Sequence, residues 1–313
     1  MKYLVYGAGT IGTVYAYLLS RVHEVDILVK QEQVERISGG VDLTLKDLKK
    51  KSDIHEKKVF CPNCVTKIEK QYDGILVAVN RYQLRDVLPV LAIKQQNTGY
   101  FAFMQNNWDI RSEIEQYIAS DKYMIAFPSS VGGGRDDKGI EAILFDEPTR
   151  LGGPCSFGIH DLQQALAQAK MNAYVDENIF DWLKVHYLQQ SITAGAVLEN
   201  GSFEAFAHSY GAVKKMVKAF REGIEVCRRQ GVNTKKTFPA NLFKLPTIIV
   251  AHTMQKMFLE QNTMEMVNNH MKKGLTEWIT GYREVLADGL KNGLSMTVWK
   301  SYDTAIEEYL KLK

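Results

Sequence analysis

The chain has 313 residues, of which 45% are apolar and 24% charged, with a formal net charge of +3. That length exceeds one small core and fits two domains of roughly 150 residues each, while the weak charge excludes a basic nucleic-acid or membrane surface. No apolar run reaches the roughly 18–20 residues that span a bilayer, and the first apolar stretch runs at once into glycines as a strand does and a secretory leader does not, so a cytoplasmic protein is expected.

In chain order, Lys2–Tyr6 reads as a short strand bounded by glycine. Residues 11–19 read as a helix, with Ile11, Val14, Tyr15, Leu18 and Leu19 apolar, and residues 25–29 as the next strand. Lys49, Lys50 and Lys51 form the one dense basic run, expected as a solvated loop or edge. Cys61 and Cys64 have the spacing of a redox or zinc pair, but no second pair or close histidine pair completes a zinc site. A redox motif would also open a helix, whereas residues 59–68 read as strand and loop. Free thiols are therefore expected at Cys61, Cys64, Cys155 and Cys227. Residues 74–79, 100–104 and 123–127 are near-continuous apolar runs, the pattern of parallel strands buried on both faces. Residues 85–93 and 110–118 read as the helices between them. Gly132, Gly133 and Gly134 read as a mobile turn, after which residues 140–145 and 149–152 are expected to close the sheet as a late antiparallel extension.

From about Ile159 the strand pattern stops. Val213, Met216, Val217, Phe220, Ile224 and Cys227 share one helical face, and Gly231 follows as a stop. Residues 240–271 and 281–290 continue in that style. The expected fold is α/β: an N-terminal doubly wound Rossmann domain over residues 1–170 and a C-terminal all-helical domain over residues 171–313. The apolar stretch between Phe238 and Met271 is the expected homodimer contact. The seven histidines show no HxxxH or HExxH spacing, so no metal is expected.

Gly7-Ala8-Gly9-Thr10-Ile11-Gly12 is a complete GxGxxG between a strand and a helix. Gly7 permits the tight turn, Gly9 lets a pyrophosphate approach the backbone, and Gly12 lets the helix pack on the strand, with the helix N-terminus facing the phosphates. An NAD site usually has Asp or Glu at the end of the second strand. Here that strand ends in Lys30, whose ammonium suits the 2′-phosphate of NADP, with Asp26 too early and Glu32 the one acidic competitor. Arg81, after the next strand, is a second phosphate partner. NADP is expected over NAD.

The opening KYLVYGAGTIGTVYAYLLSRVHEVDILVK resembles that of ketopantoate reductases. Gln105-Asn106, after a sheet strand, is similar to the family's Gln-Asn-Gly. Trp182-Leu183-Lys184 is similar to the Trp-x-Lys that carries the catalytic lysine. Thr193-Ala194, Asn200-Gly201 and Asn262-Thr263-Met264 are similar to its Thr-Ala, Asn-Gly and Asn-Ser-Met, and Trp278-Ile279-Thr280-Gly281 to its Tyr-Ile-Asn-Gly. There are departures. Leu188 stands where the family has Asn, four residues after the lysine. Asn80 stands where it often has a lysine, with Arg81 beside it, and Asn107 replaces a glycine. Counting back from Gly281 without a gap puts Leu275 at the family's substrate carboxylate, whereas a gapped count gives Glu277 that role.

The resemblance implies NADPH-dependent reduction of 2-dehydropantoate (ketopantoate) to pantoate, a step of pantothenate biosynthesis. It makes Lys184 the group that meets the developing alkoxide and donates its proton. Asn106 would bond the substrate or the cofactor ribose, Asn200 and Thr263 would bond the substrate, and Glu277 would steady Lys184 or bond a substrate hydroxyl. His186 is expected to be structural. Two other readings stay open: a related reductase of another 2-oxo acid, and a nucleotide-binding regulator without catalysis.

Overall fold

Two compact units divide the chain, Met1–Ile179 and Phe180–Lys313, in a computed structural model that describes residues 1–48 and 55–312. The lysine run at 49–51 lies outside the described residues.

The first unit begins with β1 (Lys2–Tyr6), α1 (Thr10–Leu19) and β2 (Glu24–Leu28). It continues through α2 (Val34–Ser38), β3 (Val41–Asp47), β4 (His55–Phe60), β5 (Asn63–Val65) and β6 (Tyr72–Val77). Next come α3 (Leu84–Lys94), β7 (Thr98–Phe103), α4 (Ile110–Glu115) and β8 (Tyr123–Phe127). The unit ends with β9 (Val131–Asp136), β10 (Gly139–Leu144), β11 (Thr149–Gly152), α5 (Ser156–Gln168) and β12 (Ala173–Val175).

The main sheet has eight strands in the order β12-β11-β8-β7-β6-β1-β2-β5. β1 pairs in parallel with β2 on one side and β6 on the other. The strand order therefore reverses at β1, and an open parallel sheet forms its ligand crevice at the carboxyl ends of the strands beside such a reversal. The central strands carry apolar side chains on both faces: Tyr3, Leu4 and Val5 of β1 and Ile75, Leu76 and Val77 of β6 are fully buried. This is the doubly wound arrangement expected from the alternating strands and helices.

Two expectations need correcting. The glycine run at 132–134 is not a turn but part of β9, paired antiparallel with β10. The glycines serve close approach: a Cβ on Gly133, whose φ is +137°, would lie 2.2 Å from the Glu141 carbonyl oxygen. Nor does β10 extend the main sheet. It joins a second sheet, ordered β4-β3-β10-β9. The cause is alternation in β3, where Val41, Leu43 and Leu45 are buried and Asp42 is exposed, so one face needs covering. That sheet packs on α1 through β9 and β10. β11 does close the main sheet, antiparallel to β8. β12, within the stretch expected to open the second domain, pairs with β11 instead.

The second unit is helical. It consists of α6 (Ile179–Asn200), α7 (Phe203–His208), α8 (Tyr210–Arg229), α9 (Thr247–Phe258), α10 (Gln261–Lys291), α11 (Thr297–Lys300) and α12 (Asp303–Lys311). α8 buries Val213, Met216, Val217, Phe220, Val226 and Cys227 on one side, and Gly231 follows it at φ +88°. Ser202 and Ser209 cap α7 and α8 by accepting from the backbone N–H groups of Ala205 and Ala212. Among the described residues no helix is long and apolar enough to cross a membrane. All four cysteines are free.

Candidate active site

The glycine loop follows β1 at the point where the strand order reverses. Gly7 has φ +113°, and a Cβ there would lie 2.8 Å from the Ala78 carbonyl oxygen, so only glycine makes this turn beside β6. A Cβ on Gly12 would lie 2.2 Å from the Gly7 carbonyl oxygen; its absence lets α1 start hard against the loop. Gly9 is the opposite case: a Cβ there would meet nothing within 4 Å. The space over Gly9 is open, and α1 begins there with no side-chain cap and no acidic residue in its first turn. The first-turn N–H groups of Thr10, Ile11 and Gly12 point out of a helix N-terminus that carries partial positive charge. An open cradle with uncapped donors fits the pyrophosphate of a dinucleotide.

Lys30 lies just beyond β2, exposed and in extended conformation. No carboxylate of β2 competes with it for a ribose. Asp26 is buried and accepts hydrogen bonds from Asn63 Nδ2 (2.5 Å), Tyr72 OH (2.7 Å) and Lys70 Nζ (3.0 Å). Burial opposes its ionisation, but these three bonds and the Lys70 charge outweigh that and hold the carboxyl below its usual range. Glu32 is exposed in the short helical turn that follows Lys30.

After β6, Asn80 donates its N–H to Gln83 Oε1 (3.0 Å) and its side-chain amide to the Tyr82 hydroxyl (3.0 Å), and Arg81 starts a single helical turn. After β7, Gln105 Nε2 donates to the carbonyls of Val77 (2.8 Å) and Val79 (2.9 Å). Asn107 Nδ2 donates to Glu113 (2.9 Å). Between these two pinned amides stands Asn106, whose Oδ1 and Nδ2 are both buried with no partner among the described residues. A buried amide left without partners costs about 1–3 kcal/mol per group unless a ligand or water completes it. Asn107 is not among the residues of positive φ, so the missing glycine imposes no strain here.

One contact was not foreseen from the sequence. Arg135 of β9 donates from Nη1 to the Ala8 carbonyl oxygen at 2.6 Å, tying the second sheet to the glycine loop. Its neighbours are glycines and aspartates with no motif, so only the pairing of β9 reveals it.

In the helical unit, Lys184 lies in the second turn of α6. Its Nζ donates to Gln230 Oε1 (2.6 Å), and Gln230 Nε2 donates to Asp288 Oδ2 (2.6 Å). The chain Lys184–Gln230–Asp288 joins α6, the end of α8 and α10, and fixes where the ammonium sits. His186 stacks on Trp182 at 4.6 Å between ring centroids. Leu188 is fully buried and faces Gly223 in the core, where a Cβ on that glycine would lie 2.9 Å from it. Asn200 ends the same uninterrupted helix, and its Nδ2 donates to the Ala196 carbonyl at 2.8 Å. Sixteen residues of helix separate Lys184 from Asn200, about 24 Å along the axis, so α6 does not bring them to one small substrate. Thr263 is in the first turn of α10. Glu277 and Leu275 are two apart on α10 and so point to different sides. Among the described residues no group of three His, Cys, Asp or Glu could hold a metal.

Residues 3–152 match the model of a family described as ketopantoate reductase PanE/ApbA. No curated protein matches the chain. Solved structures do. A D-mandelate dehydrogenase bound to NADH and anilino(oxo)acetate superposes with a TM-score of 0.75 at 14% identity, over 98% of each chain. A 2-dehydropantoate 2-reductase from Geobacter metallireducens GS-15 gives 0.72 at 16% identity, over 99% of this chain and 100% of the other. A dimeric ketopantoate reductase from Staphylococcus aureus gives 0.64 at 13% identity, over 98% and 99%.

Proposed function

We propose, from the premise that the chain belongs through residues 3–152 to the ketopantoate reductase PanE/ApbA family, that it is an NADPH-dependent reductase of a small 2-oxo acid. Ketopantoate is the first candidate substrate and pantoate the product. The observation that carries this reading is the cradle at Gly9: open space, uncapped N–H donors and a lysine, not a carboxylate, beyond β2.

A bound nicotinamide would supply the hydride that such a reduction needs. The other tasks fall to this chain. The N–H groups of Thr10, Ile11 and Gly12 hold the pyrophosphate and Lys30 the 2′-phosphate, with Asn80 and Arg81 on the neighbouring strand end. Asn106 offers its unpartnered amide to the ribose or the substrate. Lys184, held by Gln230, stabilises the charge that develops on the carbonyl oxygen and passes it a proton from Nζ. Thr263 and Glu277 are the remaining candidates for polar contact with the substrate.

A second reading, a 2-oxo acid with a larger apolar side chain, draws support from Leu188. The resemblance would put a hydrogen-bonding Asn there, yet this leucine is core. A site that lacks such a partner discriminates weakly for a substrate hydroxyl. The exposed apolar residues Phe238, Leu242, Leu245, Ile248 and Ile249 support a homodimer through the helical unit. The free thiols support a reducing, cytoplasmic setting.

Two measurements test the reading. Lys30→Glu should move preference toward NADH by removing attraction to the 2′-phosphate and adding repulsion; a wild type that already prefers NADH by about tenfold, or 1.4 kcal/mol, contradicts the NADP assignment. Comparing kcat/KM for ketopantoate with that for aromatic and branched 2-oxo acids then chooses between the substrates. A higher value for ketopantoate, with a large loss in Glu277→Gln, supports the first candidate.

A further inference from the structure

Among the described residues, nine buried side-chain polar atoms lack a partner, and five of them stand at one edge of the main sheet. Four belong to three consecutive residues after β7: Gln105 Oε1, Asn107 Oδ1 and both amide atoms of Asn106. The fifth is Ser129 Oγ, just beyond β8, the strand that runs beside β7 with Phe103 opposite Ile125. Three consecutive residues cannot spread, and the Cα atoms of Gln105 and Asn107 lie within about 7 Å of each other.

The bonds already made decide what is left over. Gln105 spends Nε2 on the carbonyls of Val77 and Val79, and Asn107 spends Nδ2 on the Glu113 carboxylate. Those oxygens only accept, so both amides are oriented, and the atom each leaves over is a carbonyl oxygen. Gln105 is 6% exposed and Asn107 1%, so bulk water does not serve these two acceptors, and a buried acceptor without a donor is costly. The group that completes them must bring N–H or O–H donors. A substrate carboxylate brings none.

The place narrows the choice. The pyrophosphate cradle follows β1 and Lys30 follows β2, so the adenosine half of a dinucleotide lies on the β2 side of the cradle. In the order β8-β7-β6-β1-β2 the nicotinamide half then falls on the other side, over β6 and β7. It carries a primary carboxamide, with two N–H donors and one carbonyl acceptor. Resting on the nicotinamide reading above, we infer that Gln105 Oε1 and Asn107 Oδ1 accept from the carboxamide N–H groups and that Ser129 Oγ donates to its carbonyl. Asn106 keeps the ribose or the substrate. Asn107 then has a use of its own: where the resemblance has glycine, this chain adds an acceptor. Holding the carboxamide fixes which face of the ring meets the substrate.

The test measures binding to the intact protein by calorimetry. The probes are NADP⁺, its 3-acetylpyridine analogue, in which methyl replaces the carboxamide NH₂, and its thionicotinamide analogue, which keeps that NH₂. Wild type should bind the acetylpyridine analogue roughly tenfold or more weakly than NADP⁺, the effect of leaving buried acceptors without donors, with the thionicotinamide analogue closer to NADP⁺. Asn107→Gly should narrow that gap by weakening NADP⁺ alone. Ser129→Ala should weaken NADP⁺ and the acetylpyridine analogue together, since both carry the carbonyl. 2′-Phosphoadenosine 5′-phosphate should bind both variants within about twofold of wild type, which shows the rest of the site intact. Equal binding of NADP⁺ and the acetylpyridine analogue by wild type would overturn the inference, because water or a ribose hydroxyl would then complete the amides, and the dinucleotide reading would survive alone. An unchanged gap in Asn107→Gly would overturn the role of Asn107. A wild type that binds none of the dinucleotides removes both readings.

Discussion

In the first unit the candidate pyrophosphate cradle is presented by backbone; in the second the candidate reacting group is a side chain that other side chains must hold. The N–H groups of the first turn of α1 are placed by the path of the chain over Gly7, Gly9 and Gly12. Lys184 has a flexible stem, and its position depends on Gln230, whose position depends on Asp288. A backbone site is robust to most substitutions and fails where one methyl group closes the space. A side-chain site fails when its one reacting group is removed, and weakens when a holder is removed.

The largest effect should come from Lys184→Ala. Turnover should drop about 10²–10⁴-fold, the contribution of a positioned acid, while NADPH binding, measured by fluorescence titration, stays near wild type because the dinucleotide cradle belongs to the first unit. A parallel loss of binding would break the contrast between the units.

The glycine loop offers an internal comparison of nearly equal size. Gly12→Ala drives a Cβ into the Gly7 carbonyl at 2.2 Å and should cost about 3 kcal/mol of stability, the upper end of overpacking, visible in denaturant unfolding. Gly9→Ala has no atom within 4 Å and should fold as wild type, yet weaken NADPH binding by occupying the phosphate's space. A stable Gly9→Ala protein with unaltered binding would remove Gly9 from the cradle.

Asp26 sharpens the point that the buried carboxylate of β2 is structural. Asp26→Asn should cost about 1–3 kcal/mol, since three donors lose a charged acceptor. The folded carboxyl is held below its ordinary value, so it stabilises the fold fully above the unfolded value of about 3.9 and loses that stabilisation as pH falls through the depressed folded value. Unfolding midpoints measured against pH should show a steeper acid limb in wild type than in Asp26→Asn. The smallest effect concerns positioning. Gln230→Met should lower kcat by about tenfold with KM less affected; an unchanged kcat would reduce Gln230 to a packing role.

The first unit was legible where the signal is local. The GxGxxG turn, the buried strands and the lysine after β2 all stand in short windows with fixed spacing. The second sheet was not, although the alternation of Val41, Leu43 and Leu45 marks β3, because β10, which pairs with β3, and β9, which pairs with β10, come some ninety residues later and glycines disguise β9 as a turn. Arg135 was hidden for the same reason. In the helical unit the amphipathic face of α8 was readable, and the roles of Lys184 and Asn200 came from resemblance alone. Helix geometry then separated them: the uninterrupted α6 sets Lys184 and Asn200 too far apart to serve one small substrate.

The most direct test of the central claim follows NADPH oxidation by the wild-type protein across a broad panel of 2-oxo acids that includes ketopantoate, with Lys184→Ala run beside it. The account predicts turnover of at least one member by wild type and its loss in the variant. Wild-type protein that binds NADPH and reduces none of the panel would contradict it, and would make the chain a nucleotide-binding regulator instead of a reductase.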